Sequence, residues 1–337
     1  MKYLIDPKKK QYKANLHCHS TCSDGRLTPE QLKEEYKKRG YSVLAITDHE
    51  HLVEHHNLTE EDFLMLTACE MFVFTLPSDH NENSTSHLCL YSKTPHNKML
   101  YFSPEFVYNR YIRQDEYPVA CHMTKETREH SVEFVKQTVK DAIDAGFLVS
   151  HCHPTWSFED QDFADAFEDC FAMELYNHSS YTGGYFEYNQ HYYDYQLKRG
   201  RKMGVLAVDD NHDAAPIGSP YNDSFGGVTY ILADSLDYTS IIEALERKHC
   251  YASTGPLIHS IFVEDGVIRA CTSEAERICF VTNTRNRGVV IAPDGEGVSE
   301  AEFKIGETDQ WVRVEVVDKF GKRAFSRAFF RDELVEL

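Results

Sequence analysis

The feature that most constrains the fold is a series of short apolar segments that each carry a potential metal ligand at or near one end. Residues 42–47 run into Asp48-His49, for example, and residues 203–208 run into Asp209-Asp210. Carboxyl ends of parallel strands in a barrel converge on one face, where barrel active sites form. We therefore predict that six such segments bring their polar ends to one site. These ends are His17 and His19, Asp48 and His49, Glu70, His87, His151 and His153, and Asp209, Asp210 and His212.

Amphipathic segments between these apolar runs predict helices. Thr28 and Gln31 form a capping box around Pro29, and Gly40 ends the first predicted helix. A second helix is predicted over residues 131–145, which carry an apolar stripe at helical spacing. Strands that alternate with helices indicate parallel βα units and an α/β fold. About seven such units favour a closed, TIM-like barrel over an open sheet.

The pattern changes after Thr254-Gly255-Pro256. From there, apolar residues alternate with polar ones in period two, and no helical pattern recurs. The clearest runs are residues 258–263, 278–282, 289–292 and 311–317. We predict two domains, a metallohydrolase barrel over residues 1–254 and a small all-β sandwich domain over residues 255–337.

Composition narrows the classes of partner. Thirty-five Lys and Arg against 54 Asp and Glu give a net charge of −19, which disfavours long nucleic acids and anionic membranes. Metal cations bound at a site would reverse the negative electrostatic field there and allow a small anion to bind. We see no signal peptide and no apolar run of roughly 20 residues, so we expect a cytoplasmic protein with reduced cysteines. Oligomerisation is left open.

The ligand types indicate a catalytic metal site. Period two in an extended segment places His17 and His19 on one face and Cys18 on the other. Mixed imidazole and carboxylate donors without clustered thiolates suit zinc, manganese or iron in a catalytic centre. Because the ligands recur over six segments, we predict a polynuclear metal site.

These motifs, taken in order, resemble those of the PHP (polymerase and histidinol phosphatase) family of metallohydrolases. The resemblance covers residues 14–254, and the β-rich tail resembles the branch that includes carbaryl hydrolases. The matching segments are His17-Cys18-His19-Ser20, Ser23-Asp24-Gly25, Ile46-Thr47-Asp48-His49, Glu70, His87, His153-Pro154 and Asp210-Asn211-His212. The resemblance implies a distorted (β/α)7 TIM-like barrel that holds two or three divalent metal ions.

The resemblance also implies how the nine ligands are divided. One metal would use His17, His19, Glu70 and Asp210. A second would use His87 and His153, with Glu70 as the bridge. A third would use Asp24, His49 and His212. Some family members have a histidine in place of Asp24, so the identity and occupancy of the third metal stay open.

The function expected from such a site is metal-dependent hydrolysis of phosphoesters. Paired cations clamp phosphate oxygens and lower the pKa of water from 15.7 to about 7, so we expect attack by a metal-bound hydroxide. Glu70, Asp210 and His178 are the predicted catalytic residues. The acid that protonates the leaving group is left open among His178, Asp209 and His151.

The expected substrate is a small phosphorylated metabolite or a nucleotide. Two alternatives stay open. The first is a carbamate or amide hydrolase that uses the same metals. The second is a non-catalytic metal-holding scaffold that presents the β-domain to a partner.

Several further residues have two interpretations. Asp48 is expected to orient a ligating imidazole rather than bind a metal. Seven tyrosines between residues 176 and 195 are expected to pack, with substrate stacking as the alternative. Asn177 and His178 follow a strand and are expected to contact either substrate or protein. Four basic residues are candidates for holding a substrate phosphate, namely Arg110, Arg113, Lys125 and Arg128.

Overall fold

The computed structural model describes residues 1–50, 52–74, 85–97, 130–186 and 188–334. The strands of the described residues are β1 (Lys2–Ile5), β2 (Lys10–Asn15), β3 (Val43–Ile46), β4 (Leu64–Phe74), β5 (Thr85–Ser92), β6 (Phe147–His151), β7 (Ala172–Asn177), β8 (Gly204–Val208), β9 (Val228–Ala233), β10 (Cys250–Ser253), β11 (Ile258–Glu264), β12 (Val267–Ala275), β13 (Arg277–Thr282), β14 (Arg287–Ile291), β15 (Val298–Lys304), β16 (Trp311–Val317), β17 (Arg323–Ser326) and β18 (Phe329–Phe330). The helices are α1 (Pro29–Lys38), α2 (Val132–Asp144), α3 (His178–Thr182), α4 (Gln190–Lys198), α5 (Tyr238–Glu246) and α6 (Arg331–Leu334).

Most strands of the described chain belong to one large mixed sheet. Its order is β14-β13-β16-β17-β10-β9-β2-β3-β4-β5-β6-β7-β8, with β18 paired to β16. The prediction of an α/β chain is confirmed. The closed barrel is not, because the described sheet has two ends, at β14 and at β8.

The gap between β8 and β9 is bridged by a side chain instead of a backbone ladder. The buried Thr229 hydroxyl on β9 accepts a hydrogen bond from Ala207 N at 3.1 Å and donates to Ala207 O at 3.0 Å. One hydroxyl thus satisfies both backbone groups of a residue on β8. A threonine can do this because its oxygen both donates and accepts.

The prediction of parallel strands is wrong for β5, which carries His87, and for β9. Strand β5 runs antiparallel to both β4 and β6, and β9 runs antiparallel to β2. Reversal of β5 explains the position of His87 near the start of its strand rather than at the end. His87 lies opposite Phe72 of β4, and its carbonyl accepts a hydrogen bond from Cys152 N, just after β6. The start of β5 therefore shares an edge with the end of β6.

The helices follow the predicted capping signals. Thr28 and Gln31 make the reciprocal capping box of α1. Ser131 caps α2 by accepting from Phe134 N, and Asp237 caps α5 by accepting from Ser240 N. The predicted helices over residues 28–40 and 131–145 are confirmed. Helix α4 begins at Gln190 and ends at Lys198.

The C-terminal residues form two packed layers. One is the four-stranded sheet β1-β11-β12-β15, and the other is the β14-β13-β16-β17 end of the large sheet. Buried apolar side chains such as Ile261, Phe303, Phe280 and Val314 fill the space between them.

Backbone pairing crosses the predicted domain boundary at two places. Strand β1, from the N-terminal range, pairs with β11, and β10 pairs with β17. The predicted division at residues 254 and 255 stays a prediction. Within the described residues, no helix combines the length and the apolar character that crossing a lipid bilayer demands.

Candidate metal centre

Nine side chains predicted as metal ligands lie in three overlapping groups, each with ligand atoms within 4.8 Å of one another. The groups share members, so the side chains form one continuous cluster. The first group contains His17, His19, Glu70 and Asp210. The second contains Glu70, His87 and His153, and the third contains His19, Asp24, His49 and His212.

All four side chains of the first group are buried. His17 Nε2 and His19 Nε2 lie 3.2 Å apart, and each lies 3.0 Å from Asp210 Oδ1 and 3.3 Å from Glu70 Oε2. Two ring nitrogens and two carboxylate oxygens therefore face one small volume. Such donors suit a divalent cation such as zinc.

Glu70 connects all three groups. Its Oε1 lies 2.6 Å from His87 Nδ1 and 3.3 Å from His153 Nε2, while its Oε2 faces His17 and His19. Oε2 also lies 2.9 Å from His49 Nδ1. One carboxylate thus presents its two oxygens to different sets of imidazoles, which is the arrangement of a bridging ligand.

The third group is the most open part of the cluster. Asp24 Oδ2 lies 3.6 Å from His49 Nε2 and 3.5 Å from His212 Nε2. The His19 ring stacks against both of these imidazoles, with centroid distances of 4.2 Å to His49 and 4.3 Å to His212. Asp24 is partly exposed, so this group faces solvent.

The segment after β2 keeps strand alternation although the strand itself ends at Asn15. His19 N donates to Asn211 O, and Thr47 N donates to Cys18 O. Cys18 consequently packs in an apolar core beside Leu32 and Tyr36, away from the histidines. His17, Cys18 and His19 therefore lie beyond the end of β2, but their predicted facing is confirmed.

Asp210 reaches the cluster through an uncommon backbone conformation. Its φ is +54°, in the left-handed region that non-glycine residues rarely adopt. Asp210 N donates to His17 O at 2.9 Å, which ties this residue to the histidine segment. Asp223 holds the following residues by accepting from His212 N and Asp213 N.

The cluster fits bound cations. Glu70 Oε2 and His19 Nδ1 are buried and make no hydrogen bond among the described residues, although polar atoms surround them. Burial raises the pKa of Glu70, but the neighbouring imidazoles outweigh it and hold that pKa well below its usual range. A buried, ionised carboxylate oxygen without a hydrogen bond is costly unless a cation compensates it.

The same carboxylates hold protons on the imidazoles when no cation is bound. Burial lowers the pKa of His153, but Glu70 and Asp210 raise it to about 9. Burial also lowers the pKa of His212, and Asp24 raises it to about 9. Cation binding must displace these protons, so metal affinity should increase with pH.

Glu174 supports the cluster from beneath. Its Oε1 accepts from His17 Nδ1 at 2.6 Å, which leaves His17 Nε2 directed at the other ligands. Its Oε2 accepts from His153 N at 3.0 Å and from Asn177 Nδ2 at 2.9 Å. Asn177 Nδ2 in turn lies 3.1 Å from Asp210 Oδ2. A carboxylate behind a ligating histidine fixes its tautomer and increases its basicity.

Asp48 supports the turn that carries Asp24 rather than an imidazole. It accepts from Ser20 N, Ser20 Oγ and Ser23 Oγ at 2.7–2.8 Å. Asp48 is not a member of the three groups that contain the predicted ligands, but lies within 4.8 Å of ligand atoms of Cys22 and His55. A role in orienting a ligating imidazole stays a prediction.

The three candidate acids have different surroundings. His151 donates to Glu159 and stacks on Phe167. Asp209 accepts from Tyr36 and from three backbone N–H groups of residues 225–227, while burial raises its pKa to about 7.

His178 is not a member of the three ligand groups. Its Nδ1 accepts from Tyr176 at 2.7 Å, and burial lowers its pKa to about 4. At neutral pH the ring is therefore uncharged. The roles of His178, Asp209 and His151 in proton transfer stay predictions.

Most of the seven tyrosines between residues 176 and 195 pack as expected. Tyr176 and Tyr193 are buried, and Tyr193 donates to Met203 O. Tyr181 is exposed. The four basic candidates for phosphate binding, at positions 110, 113, 125 and 128, lie outside the described residues.

Two thiols lie near His17. Cys89 and Cys152 place their sulfur atoms within 4.8 Å of a His17 nitrogen and a Glu174 oxygen. Strand alternation predicted that Cys18 points away from the ligands. This holds for Cys18, whereas the antiparallel pairing of β5 with β6 brings Cys89 and Cys152 beneath the cluster.

Sequence reasoning missed Glu174, Ser157 and Trp156. Glu174 carried a usable signal, because it is a single charge within the apolar run of residues 171–176, and a buried charge needs a partner. Ser157 Oγ lies 3.2 Å from His153 Nδ1 and orients that ring. The ring of Trp156 lies 4.9 Å from the ring of His153 and 5.3 Å from that of His87.

Comparison with known proteins finds similar solved structures. One is a two-domain protein containing a predicted PHP-like metal-dependent phosphoesterase from Bacteroides vulgatus, at 14% identity and a TM-score of 0.46, with 98% of each chain covered. Another is a candidate metal-dependent phosphoesterase from Bifidobacterium adolescentis, at 17% identity and a TM-score of 0.40, covering 62% of this chain and 91% of that one. An amidohydrolase from Chromobacterium violaceum, with bound sulfate and no metal, has 16% identity and a TM-score of 0.39, covering 59% of this chain and 87% of that one.

No family model matches the chain, and no curated protein matches it. The similarity to carbaryl hydrolases stays a prediction. The chemistry assigned to this chain must therefore come from its own side chains.

Proposed function

We propose that this protein is a metal-dependent hydrolase that cleaves phosphoesters of a small phosphorylated metabolite or nucleotide. The observation that carries the proposal is the position of Glu70 between separate sets of ligands. Its two oxygens face His17 and His19 on one side and His87 and His153 on the other. Such a carboxylate can hold two cations next to each other.

Adjacent cations, when bound, polarise a phosphoryl group and lower the pKa of water toward neutrality. His17, His19, Glu70 and Asp210 would hold one ion, and Glu70, His87 and His153 would hold the second. Asp24, His49 and His212 would hold a third. The donor types suit zinc, manganese or iron.

The chain's own residues would prepare the site for this chemistry. Glu174 keeps the proton of His17 on Nδ1, so Nε2 is available to a cation. Ser157 fixes the ring of His153, and Asn177 holds Asp210. These contacts preorganise the ligands and reduce the reorganisation that ion and substrate binding would require.

The electrostatic field at the site favours an anionic substrate only when metal cations are bound. The chain carries a net charge of −19, and Glu70, Asp210 and Asp24 add negative charge at the site itself. A phosphate would be repelled by this surface without cations. Two or three divalent ions would reverse the local field.

The experiment compares the hydrolysis of an aryl phosphate and of an aryl carbamate by protein loaded with zinc, manganese or iron. We expect release of phosphate from an aryl phosphate, with less than a hundredth of that activity in Glu70→Gln. Asp309→Asn is the matched control, because Asp309 is a buried carboxylate that accepts hydrogen bonds from Thr284 and Asn286 and lies outside the three ligand groups.

The same preparations are offered an aryl carbamate. Turnover of the carbamate without phosphate release would replace the proposal by the carbamate-hydrolase alternative. Metal-loaded protein that turns over neither substrate class, nor a panel of phosphorylated metabolites, would favour the scaffold alternative.

A further inference from the structure

Trp156 forms an aromatic wall beside the second group of ligands. Its ring meets those of His153 and His87 edge to face, at interplanar angles of 76° and 65°. Although it contacts two buried ligands, 39% of Trp156 is exposed. The side chain of Trp156 therefore contacts these ligands and also reaches solvent.

The connection that carries Trp156 is held in place. Ser157 N donates to His153 O, and Phe158 N donates to Thr155 O. Thr155 Oγ1 donates to Asn189 at 2.6 Å. Hydrogen bonds on both sides of Trp156 thus fix the backbone that presents its ring.

Exposed aromatic side chains concentrate on the connections that carry the cluster. Among the described residues, five large aromatic side chains follow β6, β7 or β8 and are exposed. They are Trp156, Phe158, Tyr181, Phe186 and Tyr221. The same three connections carry His153, His178 and Asp210. An exposed apolar surface next to convergent polar groups is typical of a ligand site.

We propose that Trp156 binds a planar aromatic group of the substrate, so that the preferred substrates are phosphoesters with an aromatic ring close to the phosphate. This proposal rests on the proposed function, which places the phosphate at the metal cluster. Stacking on an indole recognises the flat face of a ring rather than its hydrogen-bonding groups. A simple aryl ring and a nucleobase share this chemistry.

Binding of non-hydrolysable ligands tests the proposal without turnover. The probes are phenylphosphonate, methylphosphonate and the adenosine nucleotide analogue in which a methylene group replaces the 5′ ester oxygen, titrated calorimetrically into zinc-loaded full-length protein. We expect Trp156→Ala to weaken phenylphosphonate binding by roughly five- to 150-fold, the range measured for base stacking on aromatic side chains. Methylphosphonate binding should change by less than about twofold, because it has no ring to stack.

The nucleotide probe distinguishes the two sources of an aromatic ring. Selective weakening of the nucleotide in Trp156→Ala supports a nucleobase at this wall. Selective weakening of phenylphosphonate alone supports an aryl group bonded directly to the phosphate. Either result supports the shared chemistry of a planar ring at Trp156.

Fluorescence provides an independent measurement. The chain has two tryptophans, and the second, Trp311, is only 5% exposed. In Trp311→Phe, tryptophan emission, excited at a wavelength that the 20 tyrosines do not absorb, comes from Trp156 alone. Phenylphosphonate should change this emission at the concentrations that saturate binding. Phe320→Ala is the control for loss of an exposed aromatic ring, because Phe320 is 77% exposed on the turn between β16 and β17.

Trp156 touches two candidate ligands, so zinc content is measured in every variant, and Trp156→Phe is included because it retains an aromatic ring. Equal weakening of phenylphosphonate and methylphosphonate in Trp156→Ala would overturn the proposal, as would unchanged binding of both aromatic probes. Selective ring binding by a protein that hydrolyses no phosphoester would refute the proposed function and leave the role of Trp156 intact.

Discussion

Replacement of Glu174 by glutamine tests whether the cluster depends on a carboxylate beneath it. Glu174 accepts three hydrogen bonds, from His17 Nδ1, His153 N and Asn177 Nδ2, at 2.6–3.0 Å. A glutamine has one acceptor oxygen in place of two. Either orientation of its amide group therefore disturbs one of these partners.

The two orientations have different consequences. If the amide oxygen faces His17, the NH2 group points at two donors, His153 N and Asn177 Nδ2. If the NH2 group faces His17, the ring must carry its proton on Nε2, where it faces Glu70 and Asp210 and cannot bind a cation. Loss of such a supporting carboxylate typically reduces metal affinity 10- to 100-fold. This range corresponds to about 1.4–2.7 kcal/mol.

The assay is competition for zinc against a chromophoric chelator, with circular dichroism to confirm that each variant is folded. Glu159→Gln is the matched control, because Glu159 also accepts from a buried histidine at 2.6 Å but outside the ligand groups. We expect that control to keep zinc affinity within about threefold, below the range for loss of a ligand-supporting carboxylate. Unchanged affinity in Glu174→Gln, or an equal loss in both variants, would refute the reasoning.

Three further predictions concern other parts of the structure. Thr229→Val should lower the free energy of unfolding by about 1–3 kcal/mol, because it leaves Ala207 N and O without the hydroxyl that bridges them. Urea denaturation measures this loss of stability, with the substitution Thr239→Val at an exposed threonine as the control. Equal losses in the two variants would contradict the prediction. The pKa of His178 is lowered to about 4, so its contribution to stability is present above about pH 6.5 and is lost as the pH falls toward 4. Urea denaturation with chelator present should accordingly show that His178→Asn has a shallower loss of stability over that range, and parallel pH profiles would disprove it. Gly25→Ala should weaken metal binding at the third group, because the new Cβ would lie 2.3 Å from His19 O and displace the turn that carries Asp24. The ratio of bound metal to protein is compared with that of Gly183→Ala, whose Cβ would lie 3.3 Å from its nearest neighbours. A full complement of metal in Gly25→Ala would contradict this prediction.

Several parts of the structure could be predicted from local sequence because local chemistry causes them. The capping box at Thr28 and Gln31 starts α1 through contacts within one turn. Alternation around Cys18 places His17 and His19 on one face, since that geometry depends only on neighbouring residues. The proximity of the nine candidate ligands followed from their repeated position beside apolar segments.

The sequence could not predict the direction of the strands or their order in the sheet, because long-range pairing decides both. No local signal showed that β5 runs antiparallel, yet this reversal places His87 at the cluster and Cys89 near Cys152. Nor could the sequence show that the β8–β9 contact depends on one hydroxyl of Thr229.

The residue types and their order by themselves determined which donors this protein can offer to a cation. Only the tertiary structure decided how those donors are supported and what surrounds them. Glu174 approaches His17 from a strand 157 positions away in the chain, and Trp156 contacts one histidine on β5 and another just after β6. Such contacts arise from packing between distant segments, which the spacing of residues along the chain does not specify.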